Sequence, residues 1–323
     1  MSFSLGELGR AQDLVRRWVP PTPQYAWPLL GRAVGAEVWV KHENHTPTGA
    51  FKVRGGLVYV DRLRARLPKA TGIVSATRGN HGQSLAFAGR AGGLAVTIVV
   101  PLGNSPDKNA AMRGFGAEVL EHGHDFQAAC EHAAEVAGDR GAEMVVPYHP
   151  DLVLGVATYA AELFDAAGEL DAVYVPIGMG SGISGLIRVR DLLGLRTEIV
   201  GVVAAGAPAY ARSVAAGQVV ATATAHTFVD GVACRVPDAA AVQVIRAGAA
   251  RILEVEDDAT ADAARLLFAT THNAPEPAGA IALAGLLADR DAVQGRRVAV
   301  IQTGGNIDTA MLGEILAGAT PAA

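Results

Sequence analysis

Lysine is scarce in this chain, and one lysine has an unusual setting. Of the 27 basic residues, only four are lysines: Lys41, Lys52, Lys69 and Lys108. Arginine stays protonated in proteins, whereas a buried lysine can lose its proton and then act as an amine nucleophile. In the stretch KHENHTPTGAFKVRGG (41–56), small and aromatic residues lead directly into Lys52. Lys52 is therefore the first candidate for chemistry.

A glycine-rich stretch, PIGMGSGISG (176–185), follows a β-branched run and precedes a helical pattern. Glycines allow several backbone N–H groups to face an anion, and the start of a helix adds positive potential. The pattern predicts a phosphate site; tight strand–helix packing is the structural alternative. It is not a Walker loop, because no Lys-Ser/Thr pair follows. It is an incomplete dinucleotide motif, because no acidic residue stands about 20 positions on.

Polar side chains crowd a second turn, SATRGNHGQS (75–84), after another apolar run. Side chains and exposed amides at such a turn could bind a carboxylate. The alternative is a helix cap with a local Asx turn. Two further positions stand out: Thr303, where the last apolar run ends in IQTGGNID, and Glu276, between two prolines before an apolar stretch. Taken singly, both are typical of structural positions.

The elements that must position these residues alternate along the chain. Short β-branched runs are separated by Ala-rich helical stretches, which predicts an α/β protein with parallel sheets. The runs lie at 37–40, 72–76, 95–100, 117–122, 143–148, 172–178, 198–204 and 296–305. The four runs between 72 and 146 predict one compact unit, and the flanking segments predict a larger lobe. A ligand site is expected between the lobes, at the carboxyl ends of the strands.

Composition excludes several classes of function. The chain has 323 residues, half of them hydrophobic, and a formal net charge of −5, which predicts two globular lobes and no nucleic-acid partner. No apolar run reaches the roughly 18 residues of a membrane span. The amphipathic N-terminal stretch lacks the features of a signal peptide, so a cytoplasmic location is expected. Cys130 and Cys234 match no metal or redox spacing.

Taken together, these stretches resemble the fold-type II pyridoxal 5′-phosphate enzymes, especially the threonine/serine dehydratase and serine racemase group. The likeness also covers PLGNSPDKNAAMRGFGAEVLEHG (101–123), YHPDLVLGVATYAAEL (148–163), TFVDGVA (227–233) and EPAGA (276–280), in the same order. It implies a two-lobed, tryptophan synthase β-like α/β fold with the cofactor between parallel-sheet lobes. The large cofactor-binding domain would be 1–70 plus 147–323, and the small substrate-binding domain 71–146.

The resemblance also implies roles for individual residues. Lys52 would form the Schiff base, with Phe51 packing near the cofactor ring. Asn80 would bond the 3′-oxygen, Thr303 would face the pyridine nitrogen, and Gly231 and Glu276 would line the cofactor's edge. The phosphate would be held by Gly178, Met179, Gly180, Ser181 and Gly182, where Met179 and Ser181 replace the family's usual glycines. The substrate carboxylate would be received by Thr77, Arg78, Gly79, Asn80 and His81.

Three departures from the family's pattern restrict the activity, metal and domains that are expected. Arg78 stands where the racemase has a serine that acts as second acid/base, and arginine is a poor proton shuttle, so racemisation is disfavoured. Arg78 could instead pair with a substrate carboxylate or a second acidic group, or stay solvated. The segment VVAAGAPAY (202–210) lacks the family's acidic metal ligands, so no divalent metal is expected. A monovalent cation on backbone carbonyls remains compatible. No C-terminal regulatory domain is expected.

The sequence therefore predicts a pyridoxal-phosphate ammonia-lyase that converts L-threonine- or L-serine-type substrates to a 2-oxo acid and ammonia. A dehydratase for 3-phenylserine or for a hydroxyectoine-derived amino acid is the main alternative. A β-replacement enzyme fits less well, because its loop favours Thr-Ser-Gly-Asn-Thr where this chain has Thr-Arg-Gly-Asn-His. A nucleotide-binding module is the non-catalytic rival. The partners implied are a small amino acid and a second copy of the chain, as a homodimer or other homo-oligomer.

Overall fold

The computed structural model describes residues 3–124 and 126–323. Its strands are β1 (Gln24–Ala26), β2 (Glu37–His42), β3 (Gly72–Ala76), β4 (Ala95–Val100), β5 (Glu118–Glu121), β6 (Glu143–Met144), β7 (Ala172–Pro176), β8 (Glu198–Ala204), β9 (Arg251–Val255) and β10 (Arg297–Gln302). Its helices are α1 (Leu5–Arg16), α2 (Pro28–Val34), α3 (Lys52–Arg66), α4 (Asn80–Ala91), α5 (Pro106–Gly114), α6 (Phe126–Arg140), α7 (Pro150–Ala167), α8 (Ser181–Leu192), α9 (Ala209–Ala216), α10 (Ala239–Gly248), α11 (Asp257–Thr271), α12 (Pro277–Ala288) and α13 (Thr309–Leu316).

The strands form two sheets, and the smaller one contains the four strands between residues 72 and 144. It has the order β5-β4-β3-β6, and its strands pair in parallel. The run at 143–148 is strand only over Glu143–Met144. The backbone N–H of Val145 still bonds to β3, at 2.8 Å from the Val74 carbonyl, but Pro147 has no N–H to extend the ladder.

The larger sheet has the order β1-β2-β10-β7-β8-β9. Its strands pair in parallel except at the edge, where β1 runs antiparallel to β2. Strands β1 and β9 were not predicted from the sequence. β1 has only three residues, and the polar Arg251 and Glu254 within β9 disguise its apolar pattern. Backbone pairing with β2 and with β8, which the local sequence does not show, makes these two segments strands.

Helices cover both faces of the larger sheet, which is why its central strands β10, β7 and β8 are largely apolar. On β7, Val173 and Val175 belong to the core shared with α7 and α8, whereas Tyr174 packs into the core formed with α12. The first of these cores continues into the smaller sheet through Ile73 and Ile98. One hydrophobic core thus joins the two sheets and fixes the cleft between their carboxyl ends.

Within the described residues, no helix has the length and apolar composition needed to cross a membrane. In the same part of the chain, no three His, Cys, Asp or Glu side chains are arranged to hold a metal ion.

Candidate active site

Lys52 is fixed at the junction of the two sheets. It is the first residue of α3 and follows a loop that is bonded to the end of β10. The Phe51 N–H donates to the Thr303 carbonyl at 3.0 Å, and Ala50 forms an isolated bridge with Gly304. From the other side, the Ser84 hydroxyl donates to the Lys52 carbonyl at 2.6 Å. The lysine backbone is thereby held by elements of both sheets.

The Lys52 side chain points at the start of α8. Its Nζ donates to Ser181 Oγ at 3.0 Å and lies 5.0 Å from the centre of the Phe51 ring. Among the described residues, no carboxylate forms an ion pair with it. Burial lowers the pKa of Lys52 to about 8, because the surroundings disfavour the charged form. Roughly a tenth of this amine is neutral at pH 7, far more than for a solvated lysine.

The loop between β7 and α8 leaves room only for glycine at several positions. A Cβ on Gly178 would overlap the carbonyl oxygen of Gly231. Gly180 has φ of 91°, a conformation that favours glycine, and a Cβ there would lie 2.9 Å from Ala241 Cβ. The Met179 carbonyl is held by the Tyr210 hydroxyl at 2.9 Å. The loop therefore forms a narrow cradle at the N-terminus of a 12-residue helix.

The turn after β3 contains the expected polar residues, but they do not all face the cleft. The Thr77 hydroxyl accepts from the Gly79 N–H at 3.1 Å, so it serves as a local cap. Arg78 is exposed, and no other described residue bonds its guanidinium. His81 is buried, and its Nε2 has no hydrogen-bond partner in the described structure. Burial, followed by the charge of Lys52, lowers the pKa of His81 to about 3, so the ring is neutral.

Asn80 and Glu276 meet across the cleft. The Asn80 amide nitrogen lies 2.7 and 3.0 Å from the two carboxylate oxygens of Glu276, and its oxygen accepts from Asn306 at 2.8 Å. Burial raises the pKa of Glu276 to about 7, although Lys108 and the bond from Asn80 oppose the rise. This carboxyl is thus poised to hold or release a proton near neutral pH.

The remaining expected residues lie at the margins of the same cleft. Thr303 is buried, and its hydroxyl donates to the Ala278 carbonyl at 3.2 Å. Gly231 is exposed and lies in a short turn whose carbonyl contacts the glycine loop. Gly182 borders the Phe51 ring: a Cβ there would lie 3.6 Å from it. The structure thus brings together the lysine, the glycine loop and the Asn80–Glu276 pair, and leaves Arg78 at the rim.

Comparisons with known proteins show which family this chain belongs to. The family model of pyridoxal-phosphate dependent enzymes matches residues 15–304. This chain belongs to that family. An L-threonine ammonia-lyase from Geobacter sulfurreducens is 32% identical over 92% of the chain and 74% of its own length. An L-threo-3-hydroxyaspartate ammonia-lyase from Saccharomyces cerevisiae is 28% identical over 97% of the chain and 96% of its own length.

Two solved structures are similar in fold to almost the whole of this chain. The processed form of threonine deaminase isoform 2 from Solanum lycopersicum superposes with a TM-score of 0.88 at 25% identity, covering 99% of this chain and 95% of that one. Maize serine racemase superposes with a TM-score of 0.90 at 25% identity, covering 97% of this chain and 96% of that one. The expected fold, a two-sheet α/β fold-type II pyridoxal-phosphate enzyme, is confirmed. The chain is a pyridoxal-phosphate dependent lyase.

The residues present fit this family's cofactor. A glycine cradle at a helix N-terminus suits a phosphate, and the cleft beside it holds an amine of lowered pKa with no paired carboxylate. The Nε2 atom of His81 is buried without a hydrogen-bond partner among the described residues, so it is available to bond a ligand. These three observations come from different segments of the chain and converge on one cleft.

A cluster of buried charged side chains lies near the site and was not predicted from the sequence. Arg54 donates to Glu43 at 2.7 Å and to Glu162 at 2.8 Å, and Lys41 Nζ lies 2.7 Å from Glu162. These four side chains are fully or almost fully buried, and their two positive and two negative charges balance. The scarcity of lysine could have marked Lys41, but nothing local to Glu162 announces its partners. Their contribution is structural.

Proposed function

We propose that this enzyme is an ammonia-lyase that converts a β-hydroxy-α-amino acid of the L-threonine or L-serine type into a 2-oxo acid and ammonia. The observation that carries the proposal is the setting of Lys52: its amine has a pKa of about 8 and lies 3.0 Å from Ser181, at the mouth of the glycine cradle. The relatives named as threonine and hydroxyaspartate ammonia-lyases support the same reaction class.

The protein's own residues would divide the work as follows. Backbone N–H groups of Gly178–Gly182 and the Ser181 hydroxyl would hold the phosphate at the start of α8. When bound, the cofactor supplies the electron sink that stabilises negative charge on the substrate's α-carbon. Lys52 Nζ, in its neutral form, accepts the proton from that carbon. With a proton from the Lys52 ammonium, the β-hydroxyl would leave as water, and hydrolysis of the product would consume one water and release ammonia.

Other groups orient the reactants. N–H groups of the Thr77–His81 turn, at the start of α4, would bind the substrate carboxylate. Asn80, positioned by Glu276, would contact the cofactor's 3′-oxygen, and Phe51 would pack beside its ring, with Gly231 at its edge. The Thr303 hydroxyl carries no charge, so it would leave the pyridine nitrogen neutral. A weaker electron sink favours loss of the β-substituent over transamination.

L-Threonine and L-serine are the substrates we propose first. A bulkier β-hydroxy amino acid, such as 3-phenylserine or one derived from hydroxyectoine, is the second candidate. The variant turn TRGNHGQS, with Arg78 where the racemase carries serine, is the sequence feature that supports this second candidate. Arginine there disfavours racemisation because it does not give up its proton.

Absorbance and product release together test this function. The purified protein should absorb at about 420 nm when loaded, and Lys52→Ala should lose the band and the activity. Lys69→Ala, which changes an exposed lysine on a loop, is the matched control and should keep both. Release of 2-oxo acid from threonine, serine, 3-phenylserine and 3-hydroxyaspartate should rank threonine or serine first. A loaded enzyme that releases none of these products, or a Lys52→Ala variant that retains activity, would overturn the proposal.

Four further proposals concern the domain roles, the cellular location, the oligomeric state and a bound cation. The segments 1–70 plus 147–323 would act as the cofactor-binding domain and 71–146 as the substrate-binding domain. The enzyme would act in the cytoplasm as a homodimer or other homo-oligomer. A monovalent cation on backbone carbonyls would support activity, which a comparison of K⁺, Na⁺ and tetramethylammonium salts would test.

A further inference from the structure

Lys108 links the two sides of the cleft. It lies in the first turn of α5, which follows β4 of the smaller sheet, and its side chain is 13% exposed. Its ammonium forms a close ion pair with Asp230, which lies one residue before Gly231 in a turn between β8 and β9 of the larger sheet. The pair is a direct charged contact between the α5 segment and the loops that border the glycine cradle.

The aliphatic stem of Lys108 also packs against the Thr77–His81 turn, hereafter the carboxylate turn. A Cβ on Gly79 would lie 3.0 Å from Lys108 Cδ. A methyl group at Gly79 would therefore require the lysine stem to shift by a few tenths of an ångström. Gly79 and Lys108 are therefore complementary in shape, and the stem supports the turn from outside the cleft.

Neighbouring contacts bind the same segment to both sides. The Asn104 amide donates to the Arg78 carbonyl at 3.2 Å, which joins the segment to the carboxylate turn. The Ser105 hydroxyl donates to Asp308 at 2.6 Å, which joins it to the loop after β10. The segment 104–108, hereafter the strap, thus connects the turn after β3 to two loops of the larger sheet.

Lys108 carries a positive charge at neutral pH. Burial by itself disfavours the ammonium, but the carboxylates of Asp230, Glu276 and Asp308 lie close enough to outweigh it and raise the pKa of Lys108. Burial gives Lys52 a minor neutral fraction at neutral pH, whereas Lys108 stays protonated, which excludes Lys108 as a proton acceptor and suits it to a fixed ionic contact. Because the Asp230 side chain is 33% exposed, salt can screen the pair.

We propose that Lys108 is a positioning residue: its ion pair with Asp230 holds the Thr77–His81 turn against the larger sheet and so sets the affinity for the substrate carboxylate. The inference rests on the proposed function of that turn. The pair makes no contact with Lys52 or with the glycine cradle's N–H groups. Its loss should therefore weaken substrate binding and leave cofactor binding intact.

Lys108→Met keeps most of the stem and removes the charge, so it isolates the ion pair from the packing. In the holoenzyme we expect roughly a tenfold rise in KM with kcat within about twofold of the wild type, the pattern of lost ground-state binding. The cofactor absorbance should be unchanged. Amide hydrogen exchange should be at least severalfold faster in residues 77–81 and in the strap. In wild type, KM should rise with ionic strength, and Lys108→Met should abolish that dependence.

Asp230→Asn removes the partner from the other side and should reproduce the effect if the lysine variant fails to fold. Arg140→Met, which breaks an exposed ion pair with Glu118 on the smaller sheet, is the matched control and should change neither KM nor exchange near the cleft. Unchanged exchange in both segments, together with unchanged KM and salt dependence, would overturn the inference. Faster exchange in a protein that releases no 2-oxo acid would refute the proposed function and leave the strap's role standing.

Discussion

The amide nitrogen of Asn80 contacts both carboxylate oxygens of Glu276, at 2.7 and 3.0 Å. Asn80 begins α4 after a strand of the smaller sheet, and Glu276 precedes α12 on the larger one. The pair therefore ties together the two halves of the cleft at a buried point. Its carboxyl also titrates near neutrality, because burial raises its pKa to about 7.

That titration should appear in the stability of the protein. The folded state keeps the Glu276 proton up to a pKa of about 7, whereas the unfolded chain loses it near 4.5. Stability is therefore lost as pH rises through this window, by on the order of 3 kcal/mol at most. Glu276→Gln has no such titration. The free energy of unfolding of wild type relative to this variant should fall between pH 5 and pH 8, measured by urea denaturation. Glu135→Gln, at an exposed position, is the control, and parallel pH curves would contradict the assignment.

Removing the Ser181 hydroxyl should weaken the cofactor site specifically. Ser181→Ala deletes the acceptor that lies 3.0 Å from Lys52 Nζ and a donor at the mouth of the cradle. A hydrogen bond to a charged group contributes about 1.5–3 kcal/mol, so the Kd for pyridoxal 5′-phosphate should rise at least about tenfold. Ser184→Ala removes a hydroxyl from the same helix, where it bonds Tyr148, and should leave the Kd unchanged. Equal Kd values for wild type and Ser181→Ala in an absorbance titration would disprove the contact's role.

A single methyl group at Gly178 should disrupt the cradle. The Cβ of Gly178→Ala would overlap the Gly231 carbonyl oxygen, so the loop must shift away from its turn. We expect loss of the cofactor band with little change in far-ultraviolet circular dichroism. Gly138→Ala, in α6, has open space around the new methyl and serves as the control. A Gly178→Ala enzyme that binds cofactor normally would show that the close approach is dispensable.

The buried cluster around Arg54 should govern folding rather than chemistry. Arg54→Met leaves Glu43 and Glu162 buried with only Lys41 to balance them. Breaking a buried pair by removing one partner costs about 3–5 kcal/mol. Arg62→Met, whose side chain is 36% exposed, should cost about 1 kcal/mol or less. Urea midpoints compare the two, and a similar small loss in both would mean that the cluster tolerates an unpaired carboxylate.

The sequence by itself determined the α/β class, eight of the strands and the family. These follow from local patterns: β-branched runs mark buried parallel strands, and glycine spacing marks the loop after β7. Lys52 could be singled out because lysine is rare here and because its neighbours are apolar. None of these inferences needs to know which distant segments meet.

The tertiary structure decided what the sequence could not: which side chains meet across the cleft. Ser181 lies 129 positions from Lys52, and Glu276 lies 196 positions from Asn80, so neither contact leaves a local signal. The same is true of Lys108 and Asp230, and of the cluster that Arg54 completes. Thr77 and Arg78 are neighbours in one polar stretch, but the fold separates their roles. The Thr77 hydroxyl accepts from the Gly79 N–H within the turn, and the Arg78 side chain is exposed to solvent. Side-chain direction, burial and the resulting pKa values depend on packing between the two sheets, and only the folded chain fixes that packing.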